Sequence, residues 1–180
     1  GSVDGFYITK GETFEKIGGG GIYNLFGKIS NCTVFDNRNS WQGARGGGIY
    51  NYKGQIQNSI FYDNYSRVVG GGICNDLGLV FNSLVFDNLA GDDAGGIYNV
   101  GGVIMNCTIY GNKTYSQTGG IGGVNNYWNG TILNSIIWNH EYKDIKCHES
   151  LVYNSCFEKG EVTGVGNISD YPQFINTHGD

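Results

Sequence analysis

The sequence predicts an all-β protein wound as a right-handed parallel β-helix, a solenoid of roughly seven coils of 24–27 residues each. Three observations predict this fold class. Two short blocks recur along the chain at a nearly constant offset, apolar and polar residues alternate within each block, and glycine supplies 32 of the 180 residues against a single proline. Glycine costs about 1 kcal/mol at each helical position, so this composition argues against a helix bundle.

The first block is a glycine run followed by an apolar residue and, two positions later, an asparagine. Its apolar position falls at Ile22, Ile49, Ile73, Ile97 and Val124, with spacings of 27, 24, 24 and 27 residues. Successive side chains on a strand point to opposite faces, so we expect this column to lie inside the solenoid. The next residue then points outward, and this outer column contains Tyr23, Tyr50 and Tyr98, with Cys74 interrupting it.

The second block begins with an asparagine and starts at Asn31, Asn58, Asn82, Asn106, Asn134 and, in a degenerate copy, Asn154. The same alternation places two of its columns inside. The first is small: Cys32, Ser59, Ser83, Cys107, Ser135 and Ser155. The second is apolar: Val34, Phe61, Val85, Ile109, Ile137 and Phe157. Beyond them lies an outward aromatic column, which we expect to form a continuous stripe: Phe35, Tyr62, Phe86, Tyr110 and Trp138. This stripe is either open to a sugar or a partner protein or closed because each ring stacks on its neighbour and stabilises the solenoid.

Asparagine ends the first block in every copy, at Asn24, Asn51, Asn75, Asn99 and Asn126. Amide side chains stacked in register can hydrogen-bond from coil to coil. Asparagine also tolerates the left-handed backbone that a bend requires, and the glycine runs allow sharp turns without a Cβ clash. We interpret both groups as structural and assign no catalytic residue among them.

These repeats resemble those of right-handed parallel β-helices in bacterial surface and secreted proteins, and the Gly-Gly-x-Ile and Phe-x-x-Asn repeats of polymorphic outer-membrane proteins. The end is similar to the closing coils of β-helix proteins with choice-of-anchor C-termini. Those coils carry Asn-Ser-Ile-Ile-Trp, then Gly-Asn-Ile, Pro-x-Phe and Gly-Asp. Here NSIIWN starts at Asn134, and the later places are taken by Asn167, Ile168, Pro172, Phe174, Gly179 and Asp180.

The resemblance implies a pectin-lyase-like fold and a location outside the cell or on a bacterial cell surface. Because that family normally continues beyond this point, we expect residues 1–180 to be a single β-helix domain cut from a longer protein. Within it, we predict an insertion loop at 139–153, between the sixth and seventh coils, and a closing segment at 160–180.

Charged residues are too sparse on the predicted outer columns to indicate an active site. Related enzymes, namely pectate lyases, polygalacturonases and alginate epimerases, are similar in placing acids and a basic residue on one outer face. Here Asp36, Asp63 and Asp87 form the one acidic column. Stacked about 4.8 Å apart, they are either weak calcium ligands or turn residues that bond to nearby backbone. No cofactor is predicted other than calcium, which this acidic column could bind.

The segment from His140 to Glu149 is rich in potential metal ligands, but it lacks Cys-x-x-Cys and His-Glu-x-x-His spacing, so no metal site is predicted. Cys147 and Cys156 are a candidate disulfide in an oxidising compartment, and the odd count of five cysteines leaves at least one free thiol.

Two functions remain open. The first is a non-catalytic extracellular or cell-surface module with a structural, adhesive or self-assembling role, because uncapped coil edges invite end-to-end stacking. The second is a carbohydrate-binding or polysaccharide-degrading protein that uses the aromatic columns to contact a polysaccharide or a surface protein. The net charge of −5 argues against a nucleic-acid partner, and no apolar run is long enough to span a membrane.

Overall fold

The structure, a computed structural model, describes residues 1–14, 18–116 and 119–172. Within these ranges it consists of short β-strands joined by turns, and it contains no helix. The first two coils supply β1 (Ser2–Asp4), β2 (Tyr7–Thr9), β3 (Glu12–Thr13), β4 (Ile22–Leu25), β5 (Lys28–Ser30), β6 (Thr33–Phe35) and β7 (Arg38–Asn39). The next two supply β8 (Ile49–Tyr52), β9 (Gln55–Gln57), β10 (Ile60–Tyr62), β11 (Tyr65–Ser66), β12 (Ile73–Asp76), β13 (Leu79–Phe81), β14 (Leu84–Phe86) and β15 (Leu89–Ala90).

The remaining coils follow the same order of strands. They supply β16 (Ile97–Val100), β17 (Val103–Met105), β18 (Thr108–Tyr110), β19 (Lys113–Thr114), β20 (Ile121–Tyr127), β21 (Thr131–Leu133), β22 (Ile136–Trp138), β23 (Lys143–Tyr153), β24 (Cys156–Phe157) and β25 (Gly160–Thr163). Each coil therefore repeats one pattern of strands and turns, as the sequence repeats predict.

Strands of successive coils pair in parallel, so the chain forms a β-solenoid of about six turns. Three outer faces carry the side chains described below. We call β4, β8, β12, β16, β20 and the start of β23 the tyrosine face. We call β2, β6, β10, β14, β18, β22 and β24 the stripe face, and β3, β7, β11, β15 and β19 the short-strand face. The expected count of about seven was slightly high because the two ends contribute partial turns.

The register between the strands of successive coils confirms that equivalent residues of the repeats stack on one another. Ile49 pairs with Ile22 on one side and with Ile73 on the other, and Ile97 follows Ile73. Of this column, Ile49, Ile73 and Ile97 are fully buried, and Ile22 at the end of the stack is half-buried. Each buried aliphatic side chain contributes about 1.5–3 kcal/mol, so the column is a main source of stability.

The two inner columns of the second block are confirmed as well. The apolar column from Val34 to Ile137 is fully buried, and the small column of cysteines and serines beside it is buried too. Ser59 shows why this column is polar: its Oγ accepts the Cys32 N–H at 3.1 Å and donates to the Gln57 carbonyl at 2.7 Å. A third inner column, which the sequence analysis did not identify, contains Ile29, Ile56, Val80, Ile104, Ile132 and Val152.

Glycine is required where neighbouring coils approach most closely. A Cβ at Gly47 would collide with the carbonyl of Gly71, and a Cβ at Gly71 would collide with that of Gly95. The middle glycine of each run therefore permits backbone contact between coils, in addition to the turn that we expected.

The asparagine ladder of the first block is confirmed. Asn51 Nδ2 donates to Asn75 Oδ1 at 2.7 Å, and Asn75 Nδ2 donates to Asn99 Oδ1 at the same distance. The expected left-handed backbone falls on a different column, however. These asparagines lie within strands, whereas positive φ angles occur at the first residue of the second block, as at Asn58 (49°) and Asn82 (50°).

A second ladder was missed by the sequence analysis. It runs through the last asparagine of each second block, Asn37, Asn64, Asn88 and Asn112, with Nδ2 to Oδ1 distances of 3.0 Å. All four side chains are buried. The signal was present in the sequence, since an asparagine closes four copies of the block at the same position.

Residues 139–153 are not an insertion loop, and the prediction for this segment was wrong. Strand β23 continues the solenoid, with Ile145 paired to Val124 and Leu151 paired to Thr131. Ile145 is fully buried in the position of the isoleucine column. The coil was hard to identify because it lacks the glycine run. Of the predicted closing segment, β25 pairs with β23, and residues 173–180, with Phe174, Gly179 and Asp180, lie outside the described residues.

Candidate functional site

The predicted aromatic stripe exists, but its rings stack on one another. The ring centroids of Phe35 and Tyr62 are 5.0 Å apart with planes 3° from parallel, and those of Tyr62 and Phe86 are 5.2 Å apart at 11°. The faces between these three rings are thereby covered, which leaves mainly ring edges toward the outside in this part of the stripe. Stacked pairs of this kind contribute about 0.5–1.5 kcal/mol each, so the stripe stabilises the coil stack.

The stripe is closed at its far end. Trp138 is only 6% exposed, and the ring of Tyr171 packs edge-on against it with centroids 5.7 Å apart. Trp138 is therefore covered, because the segment after β25 folds back over it. Tyr110 remains partly open, and its hydroxyl accepts a hydrogen bond from Asn139 Nδ2 at 2.9 Å.

The tyrosines of the first-block outer column differ in how exposed their side chains are. Tyr23 is exposed and stacks on Tyr50 at 5.6 Å, whereas Tyr50 is buried and its hydroxyl donates to Asp76 Oδ2 at 2.9 Å. Burial, reinforced by this bond to Asp76, raises the pKa of Tyr50. Cys74 is fully buried between the tyrosines of the neighbouring coils, and burial raises the pKa of its thiol to about 12.

A cleft opens at the side of the tyrosine face. Its volume is about 190 Å³, and it is lined by Arg45, Tyr98, Val100, Tyr127 and Trp128. The rings of Tyr98 and Tyr127 lie 6.0 Å apart and are tilted by 40°. We call this the arginine cleft. Of its lining, only Tyr98 belongs to the aromatic columns predicted from the repeats.

Trp128 reaches the arginine cleft because it occupies a left-handed turn position. It follows Asn126 by two residues and has a φ of 47°, and the corresponding residues Phe26, Lys53 and Leu77 also have positive φ. A side chain at this turn projects away from the solenoid, and Trp128 is 67% exposed. The repeat position was the available signal for it, whereas nothing in the sequence indicated Arg45.

A second cleft, of about 360 Å³, lies beside the short-strand face. It is lined by Leu89, Lys113, Thr114, Tyr115, Glu141 and Tyr142. We call it the lysine cleft. Tyr115 is 66% exposed and Tyr142 is 41% exposed, so ring surface remains available here, in contrast to the stacked stripe.

The acidic column has the geometry of turn residues. Asp36, Asp63 and Asp87 are exposed and have φ angles of 54°, 51° and 50°. Asp36 pairs with Lys10. Burial and the nearby charge of Asp63 raise the pKa of Asp87, as expected for repelling carboxylates. Across residues 1–14, 18–116 and 119–172, no three acidic, histidine or cysteine side chains converge into a metal site.

His140 and Asp144 are buried and serve the fold. His140 Nδ1 accepts the Asn112 N–H at 3.0 Å, and Nε2 donates to the Ile109 carbonyl at 3.1 Å. Burial lowers the pKa of His140 to about 4. Asp144 accepts three backbone N–H groups, from His140, Glu158 and Lys159, at 3.1, 2.9 and 2.9 Å. Neither side chain is available to a substrate.

The structure does not form the candidate disulfide. Cys147 and Cys156 are both free thiols. Cys147 lies on β23 beneath Asn126 in the first asparagine column, and Cys156 lies on the stripe face beneath Ile136. The two cysteines therefore belong to different faces of the solenoid.

Comparisons of the chain with protein-family models, with curated proteins and with solved structures find no match. In the part of the chain that the structure describes, no helix has the length and apolar character needed to cross a membrane. The arguments for function therefore rest on the faces and clefts described above.

Proposed function

We propose that this chain is a non-catalytic β-solenoid module with a structural, adhesive or self-assembling role outside the cell or at a cell surface. The observation that carries the proposal is the continuity of the two asparagine ladders, which bond coil to coil through buried amides. Buried amides that satisfy one another in series favour a single rigid arrangement. The result is a stiff rod whose outer faces can present side chains in fixed positions.

The placement of the two acidic side chains near the arginine cleft supports a non-catalytic role. Asp76 accepts the Tyr50 hydroxyl. Asp93 accepts the backbone N–H groups of Ala94 and Ile121 and the side chain of Asn125. A general acid or base must reach a substrate proton, and these carboxylates are held in contacts that maintain the fold.

The experiment that tests this proposal incubates the purified chain with pectins, alginates and glucans. The release of reducing or unsaturated ends measures any turnover. We expect no turnover. Turnover that disappears when one carboxylate is replaced, for instance in Glu141→Gln, would show that the chain is an enzyme and would overturn the proposal.

A second candidate function, carbohydrate binding, is favoured by the lysine cleft. Two exposed tyrosine rings together with Lys113 and Glu141 combine apolar surface with charged hydrogen-bonding groups, the mixture found in small-molecule sites. Glycan-array binding that is lost in Tyr115→Ala and Tyr142→Ala, and retained in Tyr7→Ala, would support it. Tyr7 is a suitable control because it is 79% exposed and does not line this cleft.

A further inference from the structure

We propose that two copies of this chain pair side by side and antiparallel along one corner of the solenoid, with Gly101 of each copy at the two-fold axis. The corner is the turn that directly follows the strands of the tyrosine face. Its residues, which we call the corner column, are Phe26, Lys53, Leu77, Gly101, Trp128 and Glu149. The inference gives the self-assembling role proposed above a partner and a surface, and it rests on that proposal.

The corner column is a straight row with one residue in each coil. The residues just before it pair in register along the whole stack, from Leu25 with Tyr52 to Tyr127 with His148. All six members of the column have left-handed backbone, with φ between 47° and 61°. Neighbouring members are therefore about 4.8 Å apart and project from the same corner.

The corner column differs in composition from the other left-handed turns. Those mostly hold asparagine or aspartate, as at Asn58 and Asp63, which tolerate this backbone. A bulky side chain is uncommon there because its Cβ crowds the backbone. Yet the corner column holds Phe26, Leu77 and Trp128, each at least half exposed. Exposed apolar side chains in one row are typical of an interaction surface.

Opposite charges lie toward the two ends of the column. Lys53 and Glu149 are both exposed, and neither forms an ion pair with another of the described residues. The Lys53 ammonium lies 5.2 Å from the centre of the Tyr52 ring. Four coils, or about 19 Å, separate Lys53 from Glu149, so the two cannot pair within one chain. Each charge is available to a partner.

Antiparallel pairing about Gly101 matches these residues with one another. Lys53 and Glu149 each lie two coils from Gly101, so Lys53 faces the partner's Glu149. Leu77 and Trp128 each lie one coil from it, so Leu77 faces the partner's Trp128. Both contacts occur twice, as a two-fold interface requires. Gly101 has no side chain to hold the copies apart at the axis, and the half-buried Val100 beside it faces the partner's Val100.

Other arrangements of two copies lose these matches. Parallel pairing places Lys53 against the partner's Lys53 and Glu149 against the partner's Glu149, so like charges meet. Antiparallel pairing shifted by one coil leaves Glu149 opposite Phe26 or Leu77 of the other copy, depending on the direction of the shift. Charge complementarity of this kind fixes orientation and register more than affinity. The column is therefore self-complementary in one register.

Sedimentation of the intact chain over a range of concentrations tests the proposal. We expect a monomer–dimer equilibrium in the micromolar range, because a contact along five coils belongs to the small class of interfaces. Lys53→Glu and Glu149→Lys should each weaken the dimer by about tenfold or more, since like charges then face each other twice. Arg67→Glu makes the same charge reversal at an exposed arginine away from the corner, and it should dimerise like the original chain.

Mixing the two charge variants is the decisive experiment. In a pair formed by one Lys53→Glu chain and one Glu149→Lys chain, both contacts again unite opposite charges. The equimolar mixture should therefore regain the affinity of the original chain, although each variant alone is mainly monomeric. This recovery also shows that both variants are folded, which circular dichroism of each one checks independently.

Cysteine crosslinking tests the antiparallel orientation. A Leu77→Cys chain mixed with a Trp128→Cys chain at high concentration should form a disulfide between the two variants under mild oxidation with copper–phenanthroline, and neither variant should crosslink to itself. The original chain under the same conditions gives the background from its five native cysteines. Leu77→Cys chains that crosslink to one another would overturn the antiparallel arrangement.

Four results of sedimentation would overturn the proposal: a monomer at the highest concentration, oligomers that keep growing beyond the dimer, unchanged affinity in both charge variants, or a mixture that stays monomeric. Growth beyond the dimer would indicate stacking of coil edges instead. A monomer would leave the result of the turnover test on polysaccharides unaffected, so failure of this inference is distinguishable from failure of the non-catalytic role.

Discussion

Asn112 donates its backbone N–H to Nδ1 of His140 at 3.0 Å, so a histidine ends the second asparagine ladder. In the repeat, His140 occupies the position that Asn64, Asn88 and Asn112 hold in earlier coils. Its Nδ1 accepts the backbone N–H that the Oδ1 of an asparagine accepts in the earlier coils. This replacement puts a titratable group in line with uncharged amides, and it makes the end of the ladder sensitive to acid.

We expect the stability contributed by His140 to be lost in acid. Its pKa is about 4 when folded, against an ordinary value of 6.5, so the unfolded chain binds more protons between these values. Stability is present above pH 6.5 and falls as the pH drops toward 4, by up to about 3 kcal/mol. Urea unfolding at pH 7 and at pH 4.5 measures this loss.

His140→Asn is the control for this prediction, because it restores the ladder residue without a titratable ring. The variant should lose clearly less stability between the two pH values than the original chain. Equal losses in both proteins would show that carboxylates, and not His140, account for the acid sensitivity.

Replacing a ladder asparagine should destabilise the rod strongly. In Asn75→Ala the amide of Asn51 loses its Asn75 acceptor, and Asn99 Oδ1 loses its donor. The Gly78 carbonyl loses its Asn75 donor as well. We expect a loss of about 2–4 kcal/mol in the free energy of unfolding, because three buried groups each lose a hydrogen bond. Gln55→Ala, at an exposed strand position, should change stability by less than about 0.5 kcal/mol. A comparable effect of both substitutions would contradict the role assigned to the ladder.

Gly71→Ala should prevent correct stacking of the coils. The added Cβ would meet the backbone carbonyls of Gly95 and Leu89, and these atoms cannot move without separating two coils. We expect low soluble yield or a large fall in the unfolding midpoint. At Gly18, by contrast, the nearest atom to an added Cβ is Thr13 Oγ1 at 3.9 Å, so Gly18→Ala should be tolerated. A stable Gly71→Ala variant would show that the coils are less tightly apposed than described.

Cys74 and Cys107 should resist alkylation in the folded protein. Burial raises the pKa of Cys74 to about 12 and that of Cys107 to about 11, and the thiolate is the reactive form. Iodoacetamide at pH 8 should therefore modify these two residues only after unfolding, as followed by peptide mass spectrometry. When the protein is unfolded without reductant and then alkylated, peptide mass spectrometry should show Cys147 and Cys156 each carrying the alkyl group. A Cys147–Cys156 crosslinked peptide would mean that the disulfide forms after all.

Much of the fold followed from the repeats because a solenoid stacks residues one period apart. The isoleucine column, the small and apolar columns of the second block and the first asparagine ladder were all predicted by spacing alone. The strand at 143–153 was missed because its copy of the first block retains Ile145 but not the glycines. The glycine run was the most visible part of the repeat, but a coil can form without it when an apolar side chain such as Ile145 points inward.

The candidate sites depended far more on three-dimensional structure. The sequence indicated aromatic columns and left open whether the ring faces in the stripe cover each other, but it did not indicate that Tyr171 closes the stripe over Trp138. Nor did it indicate that Arg45 lies beside Tyr98 and Trp128.

By itself, the sequence determined the architecture and the inward columns, because register between coils is set by a local period of strands and turns. Only the tertiary structure decided which outer side chains are open and which residues share a cleft. The reason is physical: the arginine cleft combines side chains from separate coils and a turn, and its exposure depends on how distant segments fold over the faces, which no local pattern encodes.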